Sequence, residues 1–283
     1  MNINLVAIAG AGTMGAGIAQ TSAVAGYETL LYDITEEARQ RGMESIKTSL
    51  TRLTKKEKIT EDEKAEALAR ITLVGDIEQF EQADIVIEAI YENLKAKEEL
   101  WQKIDKVAKE NCLFATNTSS LSVTEIASFT NRAGDFVGMH FFNPVAMMPL
   151  VEVIRGLGTN EDRLEHARMF AESLGKTAIV CQDKPGFIVN RILIPYINDS
   201  IHALSEGVAS AEDIDKAMKL GANMPIGPLA LADLVGLDVA LAAGEALYSE
   251  FEDSKFRVSP LLKQMVRAGK LGRKTGEGFY KYE

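Results

Sequence analysis

The 283-residue sequence predicts an α/β domain with a doubly wound parallel sheet, followed by an all-helical domain. In the first part of the chain, short runs rich in β-branched and aromatic residues alternate with helical patterns. Such alternation is typical of a parallel sheet that helices cover on both faces. After Asp183-Lys184-Pro185-Gly186 the patterns are helical until the last few residues. We therefore expect two domains, residues 1–184 and 185–283.

The first strand is predicted at residues 3–9, an apolar run of the kind that is buried on both faces of a sheet. A helix of small residues follows, and the second strand, at residues 29–32, ends beside Asp33. Two charged helical stretches, at about 36–53 and 60–69, then form an insertion longer than an ordinary crossover needs. Further strands are predicted at 71–74, 84–88, 113–116, 136–139, 151–154 and 178–181, with helices at 95–109 and 161–173.

The second domain is predicted to begin with one long apolar helix over residues 187–206, in which Pro195 should cause a kink. Ser210-Ala-Glu-Asp213 resembles a capping box and indicates the start of the next helix. Two more helices are predicted at 228–249 and 259–268. An apolar helix such as 187–206 needs a covering surface, which suggests an interface.

The composition argues against several classes of function. Asp and Glu total 41 against 31 Lys and Arg, a net charge of −10, which disfavours non-specific binding to nucleic acid or an anionic membrane. The two cysteines, Cys112 and Cys181, have neither metal-ligand spacing nor the number for a disulfide framework. They favour a reducing, cytoplasmic location and no metal site. The uncharged stretch 1–27 contains several glycines and lacks a basic start, so we predict neither a membrane span nor a signal peptide.

A glycine-rich turn follows the first predicted strand and opens the first helix, with the sequence Gly10-Ala11-Gly12-Thr13-Met14-Gly15. In this context Gly-x-Gly-x-x-Gly is the dinucleotide-binding fingerprint of a Rossmann-type sheet. The glycines allow a tight turn and a close approach of the pyrophosphate, whose charge the helix N-terminus stabilises. Asp33 is placed to accept hydrogen bonds from the adenosine ribose. A glycine turn that packs without a ligand is the alternative.

Of the three histidines, His140 is the candidate for acid–base chemistry. It follows the predicted strand 136–139, at the carboxyl edge of the sheet, where α/β proteins bind their ligands. His166 lies on a charged helical face, which favours a solvated role. His202 lies near the end of the long apolar helix, where a structural or interface role is expected.

Glu152 lies in a predicted strand of apolar residues, so its carboxylate needs a donor or a cation if it is buried. It could orient His140 and stabilise the imidazolium, as the acid of a catalytic triad does. A glutamate that faces water on an edge strand is the alternative. The polar run Asn117-Thr-Ser-Ser120 also follows a strand and could reach the same crevice, although alone it is typical of an ordinary turn.

Several longer motifs occur in order along nearly the whole chain: Ala9-Gly-Ala-Gly-Thr-Met-Gly15, Glu88-Ala-Ile-Tyr-Glu-Asn93, Asn117-Thr-Ser-Ser120, Gly138-Met-His-Phe-Phe-Asn-Pro144, Asp183-Lys-Pro-Gly-Phe-Ile-Val-Asn-Arg191 and Lys274-Thr-Gly-Glu-Gly-Phe-Tyr280. Together they resemble the short-chain L-3-hydroxyacyl-CoA dehydrogenase family, and within it the bacterial 3-hydroxybutyryl-CoA dehydrogenases. The resemblance implies a reversible hydride transfer between C3 of a short-chain 3-hydroxyacyl-CoA and a nicotinamide cofactor, with NAD as the expected cofactor and NADP as the alternative. The setting would be butyrate or fatty-acid metabolism.

The resemblance also implies roles for individual residues. His140 would be the general acid/base and Glu152 its partner, while Ser119 and Asn190 would hydrogen-bond the reacting oxygen or the thioester carbonyl. The residues around the dinucleotide would be Gly10, Ala11, Gly12, Thr13, Met14, Gly15, Asp33, Glu92, Lys97, Ser119, Asn143 and Lys274.

In the family that these motifs resemble, a helical hairpin contacts coenzyme A, which would explain the insertion at about 36–69. Lys55 and Lys56 are the candidates there, although a basic pair on a charged helix is more often solvated. The resemblance further implies a homodimer built from the helical domain. Two other functions stay open: a dehydrogenase of the same fold acting on a free hydroxy or sugar acid, and a non-catalytic dinucleotide-binding protein.

Overall fold

The computed structural model describes residues 2–282 and contains two compact units, the first ending at Lys184 and the second beginning at Pro185. The strands of the first unit are β1 (Leu5–Ala9), β2 (Glu28–Tyr32), β3 (Ile71–Val74), β4 (Ile85–Glu88), β5 (Leu113–Thr116), β6 (Phe136–Phe141), β7 (Leu150–Arg155) and β8 (Thr177–Gln182). Its helices are α1 (Thr13–Val24), α2 (Glu36–Lys55), α3 (Glu61–Ala69), α4 (Leu94–Val107), α5 (Val123–Ala127) and α6 (Glu161–Ser173).

The eight strands form one sheet in the order β3-β2-β1-β4-β5-β6-β7-β8. Strands β1 to β6 are all parallel to one another, and the strand order reverses between β1 and β4. A doubly wound sheet binds its ligands outside the carboxyl ends of the strands at this reversal. The predicted Rossmann-type fold is thus confirmed.

The prediction of a wholly parallel sheet was wrong at one place, because β6 and β7 are antiparallel. The chain returns from β6 to β7 through residues 142–149, a connection too short for the helix that a parallel crossover needs. Strand β8 is again parallel to β7, with α6 as the crossover.

Helix α2 belongs to the predicted insertion and packs closely on the glycine-rich turn. Its Ile46 and Leu50 are buried in the core of the unit. At Gly42 a Cβ atom would lie only 2.8 Å from the carbonyl oxygen of Ala11, so glycine is required for this approach. This face of α2 is therefore held beside the start of α1, at the edge of the sheet where ligands bind.

The second unit is helical and consists of α7 (Val189–Ser205), α8 (Ala211–Gly221), α9 (Pro228–Val235), α10 (Leu237–Phe251) and α11 (Pro260–Arg267). The prediction of a single helix over 228–249 was wrong, because the chain breaks at Gly236 with φ of 102°. Residues with a side chain rarely adopt this conformation. Within residues 2–282, no helix combines the length and apolar character that crossing a membrane requires.

Candidate active site

The glycine-rich turn connects β1 to α1 at the reversal of the sheet. Gly10 has φ of 113°, and a Cβ there would lie 2.6 Å from the carbonyl oxygen of Ala89. A Cβ at Gly15 would lie 1.8 Å from the carbonyl oxygen of Gly10, so both positions exclude any side chain. At Gly12 a Cβ would meet no heavy atom of the described residues within 4 Å. The packing requires the outer two glycines, whereas Gly12 borders open space that a phosphate could enter.

The N-terminus of α1 suits an anion. Gly12 is its N-cap and has no side chain with which to bond the first N–H groups of the helix. Those N–H groups and the helix dipole together attract negative charge. A dinucleotide pyrophosphate therefore fits this end of the helix.

A cavity of about 410 Å³ adjoins the turn, at the carboxyl ends of β1, β2 and β4. Asp33 lines it, and its Oδ2 atom accepts a hydrogen bond of 2.9 Å from the backbone N–H of Ala11, which orients the carboxylate. Apolar walls suit an adenine ring and a carboxylate suits ribose hydroxyls. The apolar lining comes from Ile34, Ile77, Ala89, Ile90, Ala96 and Leu100.

His140 and Glu152 face each other across the antiparallel pair β6 and β7, where they are register partners. The Nδ1 atom of His140 lies 2.7 Å from Oε2 of Glu152. His140 is 6% exposed and Glu152 is fully buried, so Glu152 does not face water on an edge strand. Directly opposed residues of antiparallel strands have their side chains on one face of the sheet, which accounts for the contact.

The end of β6 is held in place around His140. The backbone N–H of Phe141 donates to Oδ1 of Asn117 at 2.9 Å, which joins the ends of β5 and β6. The ring of Phe142 lies 4.4 Å from the imidazole, centroid to centroid. Asn117 belongs to the polar run that the sequence singled out, but its link to β6 depends on the sheet order and could not be predicted.

Glu92 holds the turn that contains Ser119. Its Oε1 accepts hydrogen bonds from the backbone N–H of Ser119 at 2.6 Å and from the Ser119 hydroxyl at 3.2 Å. The hydroxyl of Thr118 also donates to this carboxylate. The Nζ atom of Lys97 lies 3.3 Å from Oε2 of Glu92 and 2.6 Å from Oε1 of Glu88. The structure thus brings together three of the predicted site residues, Glu92, Lys97 and Ser119.

A second cleft, of about 550 Å³, lies along α2. Arg41, Ser49 and Arg52 line it, as does the predicted site residue Asn143 in the loop after β6. The polar residues of α2 could be read from the sequence. The face of α2 that meets the cleft could not, because it is fixed by the burial of Ile46 and Leu50 in the folded chain. Lys55 and Lys56, the candidates from the sequence, are at the exposed C-terminal end of α2 and are not among the residues that line this cleft.

The loop that contains Asn143 is held by a lysine that the sequence did not indicate. Lys176 donates from Nζ to the carbonyl oxygens of Val145 at 2.6 Å and Met148 at 3.0 Å. Burial lowers the pKa of this ammonium from its usual value. Lys176 therefore fixes the loop between β6 and β7 by bonding to its backbone.

Two predicted site residues lie in the second unit. Asn190 is in the first turn of α7. Lys274 forms an ion pair with Asp238, with its Nζ atom 2.6 Å from Oδ2. Burial acts to raise the pKa of Asp238, but the hydrogen bond and charge of Lys274 outweigh it and hold this pKa below its usual value.

Comparison with known proteins identifies the family. Residues 5–184 match the model of the NAD binding domain of 3-hydroxyacyl-CoA dehydrogenase, and residues 186–282 match that of its C-terminal domain. The chain belongs to the 3-hydroxyacyl-CoA dehydrogenase family. Its first unit is the NAD-binding domain of this oxidoreductase family, which confirms the resemblance seen in the sequence motifs.

Members of the 3-hydroxyacyl-CoA dehydrogenase family match over essentially the full length. The probable 3-hydroxybutyryl-CoA dehydrogenase of Bacillus subtilis is 50% identical, with 100% of this chain and 99% of the relative covered. The 3-hydroxybutyryl-CoA dehydrogenase of Clostridioides difficile is 47% identical over 98% of this chain and 99% of its own. The crystal structure of (S)-3-hydroxybutyryl-CoA dehydrogenase from Ralstonia eutropha matches with a TM-score of 0.96 and 51% identity, covering both chains completely.

Proposed function

We propose that the protein is an (S)-3-hydroxybutyryl-CoA dehydrogenase that interconverts 3-hydroxybutyryl-CoA and acetoacetyl-CoA with NAD(H). The observation that supports it most is the 2.7 Å contact between His140 Nδ1 and Glu152 Oε2. Because β1 and β6 run in the same direction in the sheet, this pair lies at the same edge as the glycine-rich turn. A general base beside a dinucleotide site is the arrangement that oxidation of an alcohol requires.

In the proposed mechanism His140 moves the proton. When bound, the nicotinamide supplies the hydride acceptor for oxidation and the hydride donor for reduction. His140 removes the proton of the C3 hydroxyl during oxidation, and it returns a proton to the oxygen during reduction. Glu152 holds the ring through Nδ1, so proton transfer is assigned to Nε2, and the carboxylate stabilises the imidazolium that forms.

Ser119 is proposed as a hydrogen-bond donor to the reacting oxygen or the thioester carbonyl. A fixed donor of this kind stabilises the charge that develops on oxygen in the transition state. The bond that the backbone N–H of Ser119 donates to Glu92 supports the proposal because it holds the turn in one conformation. The Ser119 hydroxyl, which donates to Glu92 at 3.2 Å in this structure, would rotate to donate to the substrate oxygen instead. The roles that the family resemblance implies for Asn190 with the substrate and for Lys274 with the cofactor stay predictions.

Coenzyme A is proposed to bind along the cleft beside α2. Arg41 and Arg52 line this cleft, and guanidinium groups bind phosphates through paired charged hydrogen bonds. We expect the double variant Arg41→Ala, Arg52→Ala to raise KM for acetoacetyl-CoA by about tenfold, about 1.4 kcal/mol. Its kcat and its KM for NADH should change by less than about twofold, because neither arginine is placed at the reacting atoms.

The control for this cleft is Lys47→Ala, because Lys47 is exposed on α2 but does not line the cleft. It should leave KM for acetoacetyl-CoA unchanged. Lys55→Ala and Lys56→Ala in the same assay test whether the end of α2 also contributes. An unchanged KM in the Arg41, Arg52 double variant contradicts binding of the coenzyme along this cleft.

The cofactor preference follows from the surroundings of Asp33. A 2′-phosphate would meet this carboxylate, while the guanidinium of Arg39 donates to the backbone carbonyl of Asp33 at 2.6 Å. We therefore expect kcat/KM for NADH to exceed that for NADPH by at least about tenfold, or about 1.4 kcal/mol. Both values are measured side by side with acetoacetyl-CoA. A ratio near one, or one that favours NADPH, contradicts this view of the adenosine site.

The helical unit is proposed to form a homodimer. Ile192, Val208 and Leu220 are 68%, 70% and 77% exposed in the single chain, and apolar side chains at this exposure favour a protein interface. The cytoplasmic location and the setting in butyrate or fatty-acid metabolism stay predictions.

A comparison of substrates tests the proposed function. With NADH, acetoacetyl-CoA should be reduced much faster than free acetoacetate at equal concentration, because the free acid lacks the groups that the α2 cleft would bind. Faster reduction of the free acid would favour the second enzyme function left open by the sequence. A protein that binds NADH tightly but reduces neither would be a non-catalytic binder.

A further inference from the structure

We infer that Glu88 and Lys97 form a buried pair that positions Glu92 and, through Glu92, the catalytic turn of Ser119. Glu88 is fully buried and Lys97 is 1% exposed. Lys97 is therefore assigned as a positioning residue, and the direct dinucleotide contact that the family resemblance implies for it stays a separate prediction. The inference rests on the proposed function, because it assigns Ser119 to the substrate.

Glu88 ends β4, at the reversal of the sheet, and donors surround its carboxylate. Oε1 accepts from Nζ of Lys97 at 2.6 Å and from the backbone N–H of Ile90 at 2.9 Å. Oε2 accepts from the hydroxyl of Thr116 at 2.7 Å. A buried carboxylate is tolerated only with such partners. They tie Glu88 to the neighbouring strand β5 through Thr116 and to Ile90, which lines the 410 Å³ cavity.

Lys97 connects the fixed carboxylate of Glu88 to Glu92, at the edge of the sheet where ligands bind. It lies in α4, and its ammonium is shared between the buried Glu88 and Glu92, whose side chain is 35% exposed. Glu92 in turn accepts the backbone N–H and the hydroxyl of Ser119. The polar groups thus form an unbroken path from Glu88 to the hydroxyl of Ser119. Without the ammonium, the two carboxylates would repel each other and Glu92 would lose its anchor.

A purely structural role for the pair is less consistent with the fold. The N-terminal end of β4 and the C-terminal end of α4 are already joined, because Lys109 forms an ion pair with Asp84. Asp84 also accepts the backbone N–H groups of Asn4 and Leu5. A buried ion pair can often be replaced by apolar residues without loss of stability. A charged pair at the carboxyl edge, in contact with Glu92, is what positioning of the Ser119 turn requires.

The first test needs no enzyme activity. In Glu88→Leu, Lys97→Met both charges are removed together, and Glu88→Gln keeps the shape and one acceptor oxygen in case the double variant does not fold. Hydrogen exchange of the Ser119 amide should become at least about tenfold faster in the double variant, because Glu92 loses the ammonium that anchors it. In Glu88→Gln the exchange should become faster to a smaller extent, because Lys97 keeps its charge but loses the buried carboxylate that fixes its position. Lys109→Met, which breaks the pair near the other ends of β4 and α4, should leave that exchange rate unchanged. Unchanged exchange in both Glu88 variants would overturn the inference.

The second test is a double-mutant cycle on kcat for acetoacetyl-CoA reduction. Ser119→Ala and the Glu88, Lys97 double variant should each lower kcat about tenfold or more, and the triple variant should be no slower than the slower of the two. KM for NADH should change by less than about threefold. Losses that multiply in the triple variant, or a large rise in KM for NADH, overturn the inference. Absence of wild-type turnover would instead reject the proposed function, while amide exchange still decides the role of the pair.

Discussion

Replacement of His140 by glutamine is expected to lower kcat for acetoacetyl-CoA reduction by at least ~10²-fold, the usual scale of general acid–base catalysis. Glutamine has a similar size and can still donate a hydrogen bond to Glu152, but its amide is neither an acid nor a base near neutral pH and cannot transfer a proton in the reaction. The affinity for NADH and the thermal stability should stay close to those of the wild type. The rate is followed by nicotinamide absorbance at saturating substrate.

The same substitution at His166, in α6, is the matched control for His140→Gln and should leave kcat unchanged within about twofold. A near-normal rate in His140→Gln would remove His140 from the mechanism. A loss of rate that is matched by a loss of NADH affinity and of thermal stability would assign His140 to the structure of the site.

Replacement of Glu152 by glutamine is expected to lower kcat by about 10²-fold, although Glu152 does not touch the substrate in the proposed mechanism. The carboxylate accepts from Nδ1 of His140, whereas a glutamine amide can donate to that nitrogen and so favour the tautomer with its proton on Nε2. In the oxidation, that tautomer cannot remove a proton from the C3 hydroxyl. In the reduction, the variant lacks the negative charge that stabilises the imidazolium, which is the proton donor.

The effect of Glu152→Gln is measured as kcat, KM for NADH and unfolding temperature on one preparation. Because the carboxylate acts through the imidazole, KM for NADH should change by less than about threefold. Glu152→Asp keeps the charge on a shorter side chain and should recover part of the lost rate. Equal losses of rate, cofactor affinity and stability in both variants would indicate a structural role.

Much of the fold could be predicted because each strand is a short apolar run bounded by polar or glycine residues. The direction of β7 was missed because the residues of the strand itself do not show it. The available signal was the connection after His140, which is too short for the crossover of a parallel strand. The break at Gly236 was also missed, since apolar helical patterns continue on both sides of this glycine. A single residue with positive φ ends one helix there, and the periodicity does not show it.

The candidate site could be predicted in part for similar reasons. His140 was identified by its place after a strand, and Glu152 by the cost of burying a carboxylate in an apolar strand. Lys97 could not be recognised as a buried residue, because a lysine in a charged helix is normally solvated. Its partner Glu88 lies on a strand, and the strand and helix must be packed before the pair exists. Contacts of this kind depend on the tertiary structure, and the local sequence does not determine them.

The most direct measurement is the oxidation of NADH by the wild-type protein in the presence of acetoacetyl-CoA, with the configuration of the product determined. We expect rapid turnover with (S)-3-hydroxybutyryl-CoA as the product, and its loss in His140→Gln at unchanged NADH affinity. Tight binding of NADH without turnover, or a product of the opposite configuration, would contradict the proposed function.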